Sequence, residues 1–341
     1  MSDDLKPILA SLRDGARPDS AALDIAFATI LSGQTTPAQI GAFLMGLERL
    51  GIDATMILAG AKAMRANMIR VPVSVPCVDV CGTGGDGSHT LNISTAVSFV
   101  LAGCGLHVAK HGNRAMSSTS GAADVLEALG VNLGASPDVV GAAIDEIGVG
   151  FMFAQAHHPA MAHVGQARRE LGFRTIFNML GPLSNPAGAA QQLVGVYAGD
   201  KILPMAEALR LLGCEAAWVV HGDGGLDEIA LSGPSQVAAL SNGAIETFEV
   251  SPQDVGLSCT PLSALKGGDA AYNANALRAL LAGEYGPYRD SVSLNAAAAL
   301  VGFGKADSLK DGVAMVHEAL DSGRANAALG ALIAATNGQS T

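Results

Sequence analysis

The sequence predicts an α/β protein in two parts: a small all-helical domain and a large α/β domain with a mostly parallel central sheet flanked by helices. Two observations carry this expectation. The first seventy or so residues and the stretch from His157 to Pro186 show helical patterning, whereas the segments between and after them alternate short β-rich runs with apolar helices. Composition agrees: of 341 residues, 49% are hydrophobic and only 4% aromatic, with 42 glycines, which suits small-residue packing of helices on a sheet.

In the N-terminal part, "TPAQIGAFLMGLERLG" has Thr36 as a helix cap, Pro37 at the first helical position and Gly51 as the stop. "DATMILAGAKAMRANMI" repeats the design with Asp53 as cap, and Pro72 and Pro76 end the helical pattern. Strands are then expected at "CVDVC", "LHVAK" and "VGFMFA", separated by the helical "ISTAVSFVLAGCG", "GAADVLEALG" and "SPDVVGAAIDEIG". That alternation indicates parallel β-α-β units. "QQLVGVY" and "AAWVVHG" resume the strands, and "SQVAALSNGAIETFEV" reads as a hairpin turning at Asn242-Gly243, so one strand should be antiparallel. From about Asp269 the chain is a series of Ala-rich helices. The helical domain is therefore expected from residues 1–72 with about 160–188, the α/β domain from 73–159 with about 189–341, and a ligand cleft between them.

A formal charge of −11 argues against a nucleic-acid partner, whose phosphates call for clustered Lys and Arg. An anion must then be held by a local site. The five cysteines lack C-x-x-C spacing and read as thiols of a reducing compartment. The acidic start "MSDDLKPILASLRDG" has no signal pattern, and no apolar run reaches membrane-spanning length, so a cytoplasmic protein with no membrane partner is expected.

Four segments carry candidate chemistry. In "DVCGTGGDGSHTLNIST", Gly82, Gly84, Gly85 and Gly87 allow main-chain N–H groups to approach an anion, and Asn92, Ser94 and Thr95 open a helix whose dipole favours phosphate. A tight strand-to-helix turn would look similar. The loop lacks the Lys of a P-loop, and "GTGGDG" matches the dinucleotide fingerprint only in glycine spacing. Asp86 would repel a pyrophosphate unless it orients a sugar hydroxyl or a metal's water. In "KHGNRAMSSTSGAADVLEALG", Lys110, His111 and Arg114 fall within a few residues free of acids, with Asn113, Ser117 and Ser118 as donors. A solvated basic loop is the plain alternative, weakened by its place at the carboxyl end of a strand. "HGDGGLDEIAL" offers Asp227 and Glu228 as magnesium ligands or as an ordinary surface pair. In "HPAMAHVGQARRELGFRTIFNMLGPLSNP", Arg168 or Arg169 could pair with a substrate carboxylate, or both could be surface charges balanced by Glu170.

In this order and at these separations, "GTGGD", "NIST", "KHGNRAMSS", "RRELGFRTIFNMLGPLSNP" and "GLDE" resemble the anthranilate phosphoribosyltransferases, as does "GEYGPYRDSVSLNAAAALV" near the C-terminus. The resemblance covers nearly the whole chain. It implies the architecture of pyrimidine nucleoside phosphorylases, a homodimer formed through the helical domain, and transfer of the 5-phosphoribosyl group of phosphoribosyl pyrophosphate (PRPP) to anthranilate in tryptophan biosynthesis, with two Mg²⁺ ions. By the same resemblance PRPP would lie on Gly82, Gly85, Asp86, Thr90, Asn92, Ile93, Ser94, Thr95, the run Lys110, His111, Gly112, Asn113, Arg114, Ala115, Met116, Ser117 and Ser118, and Ala122. Gly82, His111, Asn113, Arg168 and Pro182 would meet anthranilate, and Ser94, Asp227 and Glu228 would hold metal. Lys110, Asn113 and Arg168 would carry catalysis, with no covalent nucleophile. Departures are small: Leu91 stands where the family often has Phe, Thr119 where it often has Lys, and His157, beside the usual His158-Pro159, is expected at a pocket wall or the surface. The competing readings are a same-fold transferase or phosphorylase for another amine or nucleobase, which would lack "KHGNR", and a non-catalytic nucleic-acid-binding relative, which would be basic.

Overall fold

The computed structural model describes residues 5–115 and 119–339. Four helices come first: α1 (Lys6–Arg13), α2 (Ser20–Leu31), α3 (Pro37–Leu50) and α4 (Ala54–Ala66). Their starts are written in the sequence. Thr36 and Gln39 form a reciprocal capping box at α3, and Asp53 accepts the Met56 N–H at α4.

The α/β part follows: β1 (Val78–Gly82), α5 (Ile93–Gly103), β2 (Val108–Gly112), α6 (Ala122–Leu129), α7 (Pro137–Ile147) and β3 (Val149–Phe153). The chain returns to helix in α8 (Ala154–His157), α9 (Ala162–Leu171) and α10 (Phe177–Leu180). Then come β4 (Gln191–Gly195), α11 (Ile202–Leu211), β5 (Ala216–His221), β6 (Ser235–Ser241) and β7 (Ala244–Val250). Helices α12 (Ala270–Leu281), α13 (Pro287–Gly302), α14 (Leu309–Asp321) and α15 (Arg324–Thr336) close the chain. Among the described residues no helix is long and apolar enough to cross a membrane, and all five cysteines are free thiols.

The sheet runs in the order β3-β2-β1-β4-β5-β6-β7, with only β6 reversed. Its turn to β7 places Asn242 at φ 51° and Gly243 at φ 77°, the left-handed pair that a two-residue hairpin needs. Strand β2 lies two residues later than the apolar run suggested. Leu106 is buried before the strand begins, and the polar pair Lys110 and His111 is buried within it. The chain leaves β1 toward β2 and β3, then resumes on the other side of β1 with β4, in register from Val78 opposite Gln191 to Gly82 opposite Gly195. Crossovers depart in opposite directions there, leaving a crevice at the carboxyl ends of β1 and β4.

Two large apolar clusters hold the molecule. One joins α5, α13 and the helices around them to one sheet face through Val97, Phe99, Leu294 and Leu300. The other packs α1–α4 with α9 and α10, and continues through α11 onto Val194 and Val219 of the sheet. Phe27 is its pivot: the ring stands edge-on to Phe43 at 5.2 Å and to Phe177 at 6.1 Å, fastening distant sequence segments together.

The connections between the parts run side by side. Ile69 N–H donates to the His157 carbonyl at 2.8 Å, His157 Nδ1 donates to the Ile69 carbonyl at 2.9 Å, and Val71 N–H donates to the Pro186 carbonyl. His157, expected at a pocket wall or the surface, is thus a buried tie between two connections, which rules out the surface alternative. Beneath them Asp79, fully buried on β1, accepts from Asn185 Nδ2 at 2.8 Å and from the His111 N–H. Asn185 also donates to the Ala109 carbonyl and accepts from Ala187 N–H. Burial holds the Asp79 carboxyl above its ordinary pKa, with the nearby Lys110 charge opposing. Asn185→Ala strips two buried acceptors of their donor; it should lower stability by about 2 kcal/mol in urea unfolding.

Candidate active site

The carboxyl ends of β1, β2 and β5 carry three of the four segments singled out in the sequence, and the end of β4 lies between those of β1 and β5. After β1, Gly84, Gly85 and Gly87 take φ of 68°, 75° and 78°, and His89 shares the left-handed region at 52°. The loop is tied down at both sides: Thr83 N–H donates to the Gly195 carbonyl, Leu91 N–H to Leu265, and Gly267 N–H to His89. Thr90 forms a bridge with Lys266.

Helix α5 starts where this loop ends. Asn92 occupies the cap position without a side-chain cap bond; its Oδ1 accepts from Asn273 Nδ2, and its carbonyl from the Tyr288 hydroxyl. The first turn of α5 therefore keeps its N–H groups for another acceptor, the arrangement that favours an anion. Ile93 offers none of this: its side chain lies in the core and its N–H donates to Leu91. Thr95 is buried with an unpartnered hydroxyl, and Ser94 lines a small cavity with Asp227, Glu228 and Asn295.

Across the crevice, carboxylate oxygens of Asp86, Asp227 and Glu228 lie within 4.8 Å of one another. Asp227 Oδ2 accepts the Gly84 N–H at 2.6 Å, so the acid and the glycine loop are a single construction. No side chain fits at the adjoining strand ends. A Cβ on Gly82 would overlap the Asp227 carboxylate, and one on Gly195 would overlap the Asp227 carbonyl. Burial and then the Asp86 charge push the Asp227 carboxyl up to about 6; burial and then Asp227 hold Glu228 well above its ordinary range. Three crowded acids that resist ionising together are a donor set that could hold a divalent cation.

The basic segment is less uniform than its sequence. Lys110 is buried, its ammonium 3.3 Å from the His111 carbonyl, and its charge reaches both Asp79 and Glu228. Arg114 is committed elsewhere: its guanidinium binds Asp124 at 2.9 Å and Glu127 at 2.8 and 3.0 Å and lies over the Phe153 ring. The acids missing from the local sequence come from α6, so Arg114 is not a free phosphate cation here. Asp124 also accepts from Ala115 N–H, just before α6 begins at Ala122. Asn113 Oδ1 accepts from the Arg114 N–H and, at 3.5 Å, from Gln155. Gly112 ends β2 against Phe151. Met116, Ser117 and Ser118 lie outside the described residues.

From the helical side, Arg168 points inward over the Phe177 ring at 5.9 Å, and its polar contact is Asn178 Oδ1 at 3.5 Å. Among the described residues no carboxylate pairs with it, and burial lowers its pKa. Glu170, the expected balance for these arginines, instead accepts from Gln166. Pro182 is buried and its carbonyl accepts from Gln192.

His111 and His158 meet between the two parts, their Nε2 atoms 3.2 Å apart. Sequence reading missed Asp79, Asn185, Asn273, Tyr288 and Asn295. For Asp79 the signal available was a lone acid in an otherwise apolar strand; Asn185 lies in a loop, and Asn273, Tyr288 and Asn295 share their helices with other polar residues, so no local signal marked them. Burial first, then His157, hold His158 down at about 4, and burial first, then His158, keep His111 well below its ordinary value. A histidine depressed in this way contributes stability that is present above about pH 6.5 and lost as pH falls through about 4. His158→Asn should therefore flatten the decline of the denaturation midpoint between those limits, read as a difference curve against the parent.

The chain matches the glycosyl transferase family in two pieces, the helical bundle domain over residues 6–68 and the a/b domain over residues 74–326. An anthranilate phosphoribosyltransferase from Rhodopseudomonas palustris is 55% identical, covering 97% of this chain and 98% of its own. The crystal structure of anthranilate phosphoribosyltransferase from Thermus thermophilus matches with a TM-score of 0.91 at 43% identity, covering 96% of this chain and 99% of that one. The enzyme from Saccharomyces cerevisiae, in complex with PRPP and Mg, gives a TM-score of 0.91 at 28% identity and covers 99% of each chain. Shared sequence over nearly its full length and a shared fold establish that the chain belongs to the anthranilate phosphoribosyltransferases of the glycosyl transferase family.

Proposed function

We propose that the protein transfers the 5-phosphoribosyl group of PRPP to the amino group of anthranilate, giving N-(5-phosphoribosyl)anthranilate and pyrophosphate in tryptophan biosynthesis. The observation that carries this reading is the acid trio Asp86, Asp227 and Glu228 beside the uncapped start of α5. Backbone donors for a phosphate and carboxylates for its counter-ion stand together there.

The donor set fits Mg²⁺, which takes oxygen ligands and shares them with substrate phosphates. Asp227 and Glu228 would hold one ion and Ser94, at the head of α5, would meet a second. When bound, Mg²⁺ supplies counter-charge for the departing pyrophosphate. The glycine loop with Gly82, Gly85, Asp86, Thr90, Asn92 and Thr95 holds PRPP, closed by the segment from Lys110 through Ser118. Anthranilate lies toward Gly82, His111, Asn113, Pro182 and Arg168, whose guanidinium has no carboxylate partner among the described residues and suits the substrate carboxylate.

The amine of anthranilate is neutral at pH 7 and brings its own lone pair, so no strong base is needed before attack. The C1′–N bond forms as the C1′–oxygen bond to pyrophosphate breaks, the nitrogen then gives one proton to the released pyrophosphate or to water, and the barrier is the charge that develops on ribose and leaving group. Catalysis then rests on alignment and on charge held in place by Lys110 and backbone amides.

In this reading the helical domain comprises residues 1–72 with about 160–188. The Phe27–Phe177 contact supports that division. The protein works in the cytoplasm as a homodimer formed through this domain. Exposed Ile25 and Met45 on its helices supply apolar surface for that contact, and light scattering should give twice the 34.3 kDa chain mass.

Loss of anthranilate fluorescence on mixing protein, PRPP and Mg²⁺ should be abolished by EDTA; no decay with folded protein would turn the search to another amine or nucleobase acceptor. Lys110→Ala should lower kcat/KM by about 100-fold or more while the chain stays folded. The double variant Asp227→Asn/Glu228→Gln should lose activity at limiting Mg²⁺, and unchanged turnover there would remove the metal assignment.

A further inference from the structure

Glu228 is followed by a peptide that the protein grips from the far side. Asn295, buried in α13, meets Ile229 with both ends of its amide: Ile229 N–H donates to Asn295 Oδ1 at 2.9 Å, and Asn295 Nδ2 donates to the Ile229 carbonyl at 2.9 Å. The second Nδ2 hydrogen goes to the Ser291 carbonyl one turn earlier on α13, which locks the amide's orientation. The next residue is fixed as well, Ala230 N–H donating to Ser235 Oγ. Asn295 thus pairs with Ile229 as a neighbouring strand would, although it lies 66 residues away on a helix. It lines the same cavity as Ser94, Asp227 and Glu228.

This placement has a chemical purpose. Asp227 and Glu228 are crowded acids that repel whenever both ionise, and Glu228 is followed by Ile229, so a free loop would relax by swinging that backbone outward. A bidentate bond to Ile229 opposes that motion at the nearest backbone group. On the opposite side of Glu228, Gly82 and Gly195 leave the Asp227 backbone room to press onto the strand ends. Both ends of the Asn295 amide are committed to main-chain groups, and Asn295 is not a member of the acid trio.

We infer that Asn295 is a positioning residue for the metal-binding carboxylates, holding Asp227 and Glu228 close enough to bind a divalent cation before any substrate arrives. The inference rests on the metal reading above. An outer partner that orients ligands typically changes metal affinity about 10- to 100-fold when removed.

The test is Mn²⁺ binding to the full-length protein without PRPP, followed by the EPR signal of free Mn²⁺, together with thermal unfolding. Asn295→Ala should weaken Mn²⁺ binding by about tenfold or more. Leu294→Ala, which opens a cavity in the core beside it, should lower Tm and leave Mn²⁺ affinity within about twofold, because damage to packing alone does not move the carboxylates. If Asn295→Ala does not fold, Asn295→Asp carries the test. It keeps the acceptor for Ile229 and adds a negative charge that by itself attracts cations, so weaker Mn²⁺ binding in that variant supports positioning. Mn²⁺ affinity unchanged in the Asn295 variants, or lowered equally in Leu294→Ala, overturns the inference while leaving the metal site standing. Absence of Mn²⁺ binding in the parent protein overturns the metal reading and this inference with it.

Discussion

Asp227 packs against bare α-carbons at the ends of two neighbouring parallel strands, and much of the site follows from that contact. Because Gly82 and Gly195 carry no side chain, the loop after β5 can lie across the mouth of the sheet and deliver its carboxylate to the Gly84 N–H. The same glycines sit in register at the position where the crossovers diverge. An acid, a ring of backbone donors and the head of a helix therefore converge with few intervening atoms. A methyl group at either position would separate them.

On the proposed reading, this convergence is what would let a protein of net charge −11 recognise a highly anionic substrate. The attraction would then be local and consist mostly of main-chain dipoles and one buried ammonium, with the acids serving a cation. Arg114, the most obvious positive side chain of the segment, spends its charge on α6 and thereby fixes the entry to that helix. Buried charges within reach of both Asp79 and Glu228 leave Lys110 facing acids on two sides. In the proposed reading its strength as a counter-charge would come from exclusion of water more than from the number of cations present.

What the sequence made legible was local. The caps at Thr36 and Asp53, the Asn242-Gly243 turn and the glycine loop all express their geometry through residues a few positions apart. Long-range partners were hidden for the same reason. Asp79 is one acid in an apolar strand and Asn295 one of several polar residues on its helix, and nothing nearby reveals that they meet Asn185 and Ile229. The partners of Arg114 lie 10 and 13 residues on, across an intervening loop. Ile93, drawn into the site by its place in a motif, turns its side chain into the core because a helix start exposes backbone on one side and buries the other.

The Ile69–His157 and Val71–Pro186 bonds bundle the passages between the helical part and the sheet into one narrow strap. The chain passes through it repeatedly, since the route from β3 on one flank to β4 beyond β1 detours through α8–α10. The first 70 residues therefore do not constitute a detachable cassette, although they match a family domain of their own. Cut away, they would leave Val164, Phe177 and Leu180 without the surface that covers them. The two halves of this bundle are obliged to be inherited together, and a change in one is constrained by the other across a gap of about a hundred residues.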